Sequence, residues 1–223
     1  MLFRSSIRSP SSACSLVGIR PTIGLVSRDG IVPYSLTQDT AGPICRTVED
    51  AVRTLDVIAG YDTADAQTAW GVGHQPKSYV PFLKMDGMRG KRIGVLERFF
   101  GSRECNRDVN RVVREAMAYF ERGGATLVSI EDDIDSAWLT ENVSVHLDDF
   151  KTHLNGYLSA LRPDAPVHSM EEVLASGKYH PGIKENMMMA MKLDVGTPEH
   201  DRKLVRQAEV NYQIGRASCR ERV

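Results

Sequence analysis

The stretch Ser6–Gly30, SIRSPSSACSLVGIRPTIGLVSRDG, sets the reading of the whole chain. Its first half holds five serines, and Ser9-Pro10 has the form of a helix start. A serine N-cap there would be followed by proline at the first helical position, where the missing N–H costs nothing. Gly18 is then expected to end a short helix at about Val17. Ser11 and Ser12 are expected as small packing residues in its first turn. From Arg20 onward, glycine and proline recur every few residues. RPTIGLVSRDGIVPYS is therefore expected to form short strands and turns.

Working outward, TVEDAVRTLDVIAG gives the clearest helix. Thr47 caps it, Asp50 takes the third helical position as in a capping box, and Gly60 closes it. Val48, Ala51, Val52, Leu55 and Ile58 make one apolar face. DTADAQTAWGVGHQPKSY has no clean period and is expected as a long surface loop. Next come a strand over Arg92–Leu96, a helix from about Asn106 to Arg122 and a second strand over Ala125–Ile130. Val109, Val112, Val113, Ala116 and Phe120 are expected to face inward from that helix. Strand-helix-strand units build parallel sheet by right-handed crossovers, so the fold class is α/β. Beyond Ser136 the sequence predicts helices over Ser136–Leu161, Met170–Ser176, Ile183–Leu193 and Pro198–Tyr212. MMMAM (Met187–Met191) supplies adaptable core packing to one of these, or the lining of a substrate pocket.

The bulk numbers exclude several classes. The 223 residues carry a formal net charge of −1 with 42% hydrophobic residues. There is thus no basic footprint for nucleic acid or an anionic membrane surface. No apolar run is long enough to span a bilayer, and the N-terminus lacks a signal-peptide core. Cys14, Cys45, Cys105 and Cys219 form no CxxC pair and are expected as reduced thiols, which points to the cytoplasm.

Residues 6–62, SIRSPSSACSLVGIRPTIGLVSRDGIVPYSLTQDTAGPICRTVEDAVRTLDVIAGYD, resemble the amidase signature family. The match rests on Ser6-Ile7-Arg8, Pro10, Gly18-Ile19-Arg20-Pro21-Thr22, Gly24, Val26-Ser27-Arg28, Gly30, Asp39, Gly42-Pro43, Arg46-Thr47-Val48 and Asp50, in gapless order. GKRIGVLERFF and GGATLVSI are similar to the next part of such amidases. The resemblance implies an α/β/α layered fold around a mixed sheet, incomplete in this chain. It also implies hydrolysis of a carboxamide to acid and ammonia or amine through a Ser–cis-Ser–Lys triad.

In that pattern the nucleophile is the serine before Ile-Arg, which is Ser6. A serine hydroxyl needs a base to take its proton. The family uses a lysine acting through a second serine, and such a lysine must be desolvated to be neutral. The backbone N–H groups of Ser5 and Ser6 are expected to hold the oxyanion. Arg8 and Asp39 either orient the site or serve as a buried charge pair or loop anchors. The resemblance implies no metal or organic cofactor, and a small-molecule amide as the substrate.

The lysine and cis-serine belong upstream of the nucleophile, where this chain has only Met1–Ser5. The chain alone is therefore expected to be an inactive piece of an amidase. Leu2-Phe3-Arg4-Ser5 replaces the glycine-rich turn of the family. Both ends read as translated sequencing adapter: LFRS is what CTC-TTC-CGA-TCT encodes, and IGRASCRERV is what ATC-GGA-AGA-GCG-TCG-TGT-AGG-GAA-AGA-GTG encodes. An amidase part over 6–213 is thus expected between foreign flanks at 1–5 and 214–223. Two further readings stand beside the amidase. One is an amidotransferase A-type subunit that releases ammonia for a partner. The other, from a different class, is a small nucleotide-binding α/β domain on the Arg92–Ile130 unit, although LERFFGSRECNRD lacks the glycine-rich turn such a site needs. His146, Asp149 and His153 share a helix face with spacing that can hold a metal, but an exposed polar face is the commoner use of that pattern. A Ser-His-Asp triad finds no G-x-S-x-G elbow.

Overall fold

The computed structural model describes residues 5–130 and 136–220. Residues 1–4 and 221–223 of the expected flanks lie outside them. The chain divides into two compact units, one of Met1–Val80 with Ala137–Gln213, the other of Pro81–Ser136 with Ile214–Val223.

The first unit opens with helix α1, Ser5–Ala13, which carries Pro10 inside it. This corrects the expected start at Ser9-Pro10. Proline lacks the N–H that would bond the carbonyl of Ser6, so it normally avoids a helix interior. Tertiary packing outweighs that preference here. Ile7 and Ser11, one turn apart, are both buried, and the Ser11 hydroxyl donates to the Ile7 carbonyl at 2.6 Å. Ser12 is exposed. The helix ends in a turn at Ser15, whose φ is +54°, rather than at Gly18. Gly18 belongs to strand β1, Val17–Gly18, paired antiparallel with β2, Ile44–Cys45.

Helix α2, Val48–Ile58, forms as the sequence predicts. Thr47 Oγ1 accepts the Asp50 N–H at 3.1 Å, and Ala51, Val52 and Leu55 are buried while the ends of the stripe, Val48 and Ile58, are exposed. It closes one residue before Gly60: Ala59 is already extended and bridges Val26. The expected surface loop after it is partly built in. Ala66–Gly71 is a 3-10 turn capped by Asp65, and both Asp65 and Thr68 are buried.

The expected helix over Ser136–Leu161 is two, α4 (Ser136–Asn142) and α5 (His146–Ser159), separated by buried Val143 and Val145. Helices α6 (Met170–Ser176) and α7 (Lys184–Ala190) follow, and α8 runs over Pro198–Arg220. Phe150, Leu154 and Leu158 of α5 pack with Met170, Met187 and Ala190 to form the core. Met187 thus takes the packing role expected of the methionine run, whereas Met188 and Met189 face out.

In the second unit, β3 (Arg92–Val95) pairs in parallel with β4 (Thr126–Ser129) across α3 (Arg107–Arg122), as expected for a strand-helix-strand unit. The helix face expected to turn inward does so only at its C-terminal end. Val109, Val112 and Val113 are 62%, 53% and 42% exposed and Ala116 is exposed too, while Phe120, with the neighbouring Met117 and Ala118, is half-buried. Among the described residues two four-residue strands make this sheet, too narrow to cover the whole apolar stripe.

Candidate active site

Ser5 and Ser6 open α1, and the Ser6 side chain is exposed while its neighbour Ile7 is only 8% exposed. Arg8 points to solvent on the same helix. Asp39 lies in the loop before β2, where its Oδ2 accepts the N–H groups of Tyr34 at 2.8 Å and Ser35 at 2.9 Å. No ion pair joins Arg8 to Asp39 among the described residues. These two bonds anchor the loop that carries Asp39.

The segment Tyr34–Asp39 is held from several sides. Tyr34 stacks on Phe150 at 4.1 Å between ring centroids and on His146 at 5.7 Å. Its hydroxyl accepts from Asn186 at 3.2 Å. The Leu36 N–H donates to His153 Nδ1 at 3.1 Å, and the Leu36 carbonyl accepts from the Arg28 guanidinium.

Arg28 is itself buried and forms a two-pronged pair with Asp65, Nε to Oδ2 at 2.8 Å and Nη2 to Oδ1 at 2.7 Å. Its backbone N–H adds a third contact to the same carboxylate at 3.0 Å. The hydrogen bonds from Arg28 hold the Asp65 carboxyl down at about 2.

The strongest anchor is Asp149 on α5, 1% exposed. Its Oδ2 accepts the hydroxyls of Ser35 and Thr37, each at 2.6 Å, and its Oδ1 lies 3.0 Å from His200 Nε2. The Gly196 N–H donates to His200 Nδ1 at 3.2 Å. That assigns the proton to Nε2, so the imidazole donates to Asp149. Neither ring nitrogen is then left to act on a serine, and the carboxylate sits between serine and histidine instead of behind the histidine. The arrangement is a tether and not a hydrolytic triad. Beside it, Lys203 Nζ pairs with buried Asp148 at 3.0 Å.

The metal reading of His146, Asp149 and His153 is not realised in the geometry. Asp149 is used as above, His153 Nδ1 accepts from Leu36, and His146 Nδ1 lies 2.5 Å from Ser144 Oγ. No group of three metal-ligating side chains converges among the described residues. Burial pushes His146 down to about 4, so its ring is neutral near neutral pH. Sequence reasoning missed Arg28, Asp65, Ser35, Thr37 and His200. Asp149 drew notice only as a neighbour of two histidines, since its partners Ser35, Thr37 and His200 lie 114, 112 and 51 residues away.

The profile of the Amidase family matches residues 5–214. A "Probable amidase" of Arabidopsis thaliana is 40% identical over 171 residues, which is 76% of this chain and 32% of that protein. A glutamyl-tRNA(Gln) amidotransferase subunit of Acinetobacter baumannii is 38% identical over 134 residues, 60% of this chain and 27% of that one. Among solved structures, the peptide amidase of Stenotrophomonas maltophilia superposes with a TM-score of 0.76 at 34% identity, over 89% of this chain and 41% of that one. An amidase family protein of Bacillus anthracis gives 0.72 at 29% identity, over 93% and 41%. This chain therefore spans between about a quarter and a third of the length of the curated relatives it matches. The fold is α/β of the amidase-signature kind, and the chain belongs to the amidase family.

Proposed function

We propose that this chain supplies the nucleophile, Ser6, of a carboxamide hydrolase. The observation that carries the reading is the exposed hydroxyl of Ser6 at the head of α1, within the Ser-Ile-Arg motif of a chain whose family is established. Ser6 Oγ attacks the amide carbonyl and its proton passes through a base to the leaving nitrogen. The C–N bond breaks, an acyl ester forms on Oγ, and water then releases the acid and restores the hydroxyl. The backbone N–H groups of Ser5 and Ser6 would steady the oxyanion, helped by the positive end of the helix. Arg8 and Asp39 play supporting parts, Asp39 by shaping its loop. The lysine and second serine that complete the triad are assigned to parts of a longer protein, in keeping with the share of the relatives that this chain spans. The substrate is a small-molecule amide, peptide amides being the first to assay given the likeness to a peptide amidase. No nucleic acid or membrane partner is invoked. No helix among the described residues is long and apolar enough to cross a membrane, and the cytoplasm is the proposed compartment.

A fluorophosphonate tests this on the full-length protein containing the chain. Ser6 Oγ should form an O–P bond with loss of fluoride, and peptide mapping should find the label on Ser6 and none in Ser6→Ala. Labelling of another serine, or none, refutes the assignment. The 223-residue chain alone should hydrolyse amides no faster than its Ser6→Ala form, and Ser6-dependent turnover by it would overturn the division of the triad. The match to an amidotransferase component supports a second reading, ammonia release for a partner. Stimulation of ammonia release by that partner, with glutamine as donor, would select it.

A further inference from the structure

Ile7 is the side chain next to the proposed nucleophile, and two glycines from separate parts of the chain close around it. A Cβ at Gly18 would meet Ser11 Oγ at 2.3 Å, Ile7 Cγ2 at 3.0 Å and Ser11 Cβ at 3.1 Å. A Cβ at Gly42 would meet the Ile19 carbonyl oxygen at 2.1 Å, Pro21 Cδ at 2.7 Å and Ile7 Cδ1 at 3.0 Å. Real Cβ contacts do not fall below about 3 Å, so a Cβ at Gly42 cannot fit as the backbone stands, and one at Gly18 fits only if the Ser11 hydroxyl swings away. Gly18 lies in β1, and Gly42 lies just before β2 in a segment tied to the first strand by the Ile19 N–H to the Pro43 carbonyl, at 3.1 Å. The β1–β2 pair and its flanks therefore present bare backbone to the Ile7–Ser11 face of α1.

Resting on Ser6 as nucleophile, we infer that Gly18 and Gly42 are positioning residues: with no Cβ they form the socket for Ile7, and the seated Ile7 fixes where α1 presents Ser6. Pro10 strengthens the need for such a socket. It removes the regular helical partner of the Ser6 carbonyl, so the backbone bonds of α1 hold its first turn less firmly. Positioning of this kind acts on the attack step. A displacement of the order of 1 Å at a reacting atom costs roughly a hundredfold in rate.

The test follows the rate of fluorophosphonate labelling at Ser6 in the full-length protein, corrected for folded fraction, together with kcat and KM for an amide. Gly18→Ala should slow labelling about tenfold or more and lower kcat with KM little changed. Ser11→Ala removes the clash with the Ser11 hydroxyl but leaves the contacts with Ile7 Cγ2 at 3.0 Å and with the Cβ of residue 11 at 3.1 Å, so Gly18→Ala combined with Ser11→Ala should stay slow, while Ser11→Ala alone stays near wild type. Gly42→Ala meets a backbone oxygen that no side-chain change removes, so the same second substitution should not rescue it. Ile7→Ala, which empties the socket instead of crowding it, keeps the test open should Gly18→Ala fail to fold; it too should slow labelling. Wild-type labelling rates in folded Gly18→Ala or Ile7→Ala, or a Gly18→Ala/Ser11→Ala double variant restored to the wild-type rate, would overturn the inference. Wild-type protein that takes no label at Ser6 would instead sink the nucleophile assignment on which it rests.

Discussion

Replacing Asp149 by asparagine keeps the side chain's shape and removes one of its acceptors, and the geometry fixes how the site must respond. The new amide nitrogen has two places to go. Facing His200, it would oppose the Nε2–H, and the imidazole cannot turn its proton to the other side because Nδ1 accepts the Gly196 N–H at 3.2 Å. Facing Ser35 and Thr37, it donates to one hydroxyl, and the two hydroxyls, 2.9 Å apart, bond each other. The second arrangement is the better one. It trades two short bonds to a carboxylate oxygen for weaker neutral ones, at a cost of about 1–3 kcal/mol. Asp149→Ala leaves the His200 Nε2–H and one of the two hydroxyls without an acceptor and should cost more, about 3 kcal/mol, or roughly 6–12 °C in Tm for a chain of this size. Urea titration followed by circular dichroism reads both variants, and hydrogen exchange localises the effect. The amides of Tyr34–Asp39 should lose protection in Asp149→Asn while those of the α5 core keep it. An Asp149→Ala variant within about 0.5 kcal/mol of wild type, or equal loss of protection along α5, would refute the claim that this carboxylate tethers the segment.

Three further outcomes follow from the same structure. The folded-state pKa of Asp65, about 2, lies below its ordinary 3.8. The stability it contributes is therefore full above about pH 4 and is lost as pH falls toward 2; Asp65→Asn should flatten the acid limb of stability against pH in that window. His146 is held at about 4 against an ordinary 6.5. Between those values the unfolded chain binds the extra proton, so stability should fall as pH drops from about 6.5 to 4, and His146→Phe should remove that slope. Thr47→Ala should destabilise by about 1 kcal/mol in urea unfolding, because it deprives the Asp50 N–H of its acceptor at the start of α2.

The sequence was most legible where the signals are local. Thr47, Asp50 and the stripe of Ala51, Val52 and Leu55 lie within one helix, and cap and period agree, so α2 starts at the expected residue. The β3-α3-β4 unit was legible for the same reason. The inward face of α3 was not, because amphipathicity says which side of a helix is apolar and not how much sheet is there to cover it. Pro10 misled for a related reason. The rule that places proline at the first helical position weighs backbone terms only, whereas the burial of Ile7 and Ser11 against Gly18 and Gly42 extends α1 five residues further back. The role proposed for Ser6 rests on the family motif alone; nothing in its local chemistry separates it from Ser9 or Ser12.

The segment Tyr34–Asp39 shows the limit of local reading most fully, because five of its six backbone N–H groups are satisfied without regular structure. The N–H groups of Tyr34 and Ser35 go to the Asp39 carboxylate, that of Leu36 to His153, and those of Gln38 and Asp39 to the Ser35 carbonyl. The Leu36 carbonyl goes to Arg28, which Asp65 in turn holds. The partners outside the segment come from the turn before it, from the 3-10 turn after α2 and from α5. No sequence window short enough to read as a motif contains them all. The loop is consequently as well determined as a strand, yet its determinants are side chains spread over the whole first unit. Substitutions at Asp149, Arg28 or Asp65 should therefore loosen the same six residues, and Asp149→Asn combined with Asp65→Asn should cost less than the sum of the two, since each already frees part of what the other holds.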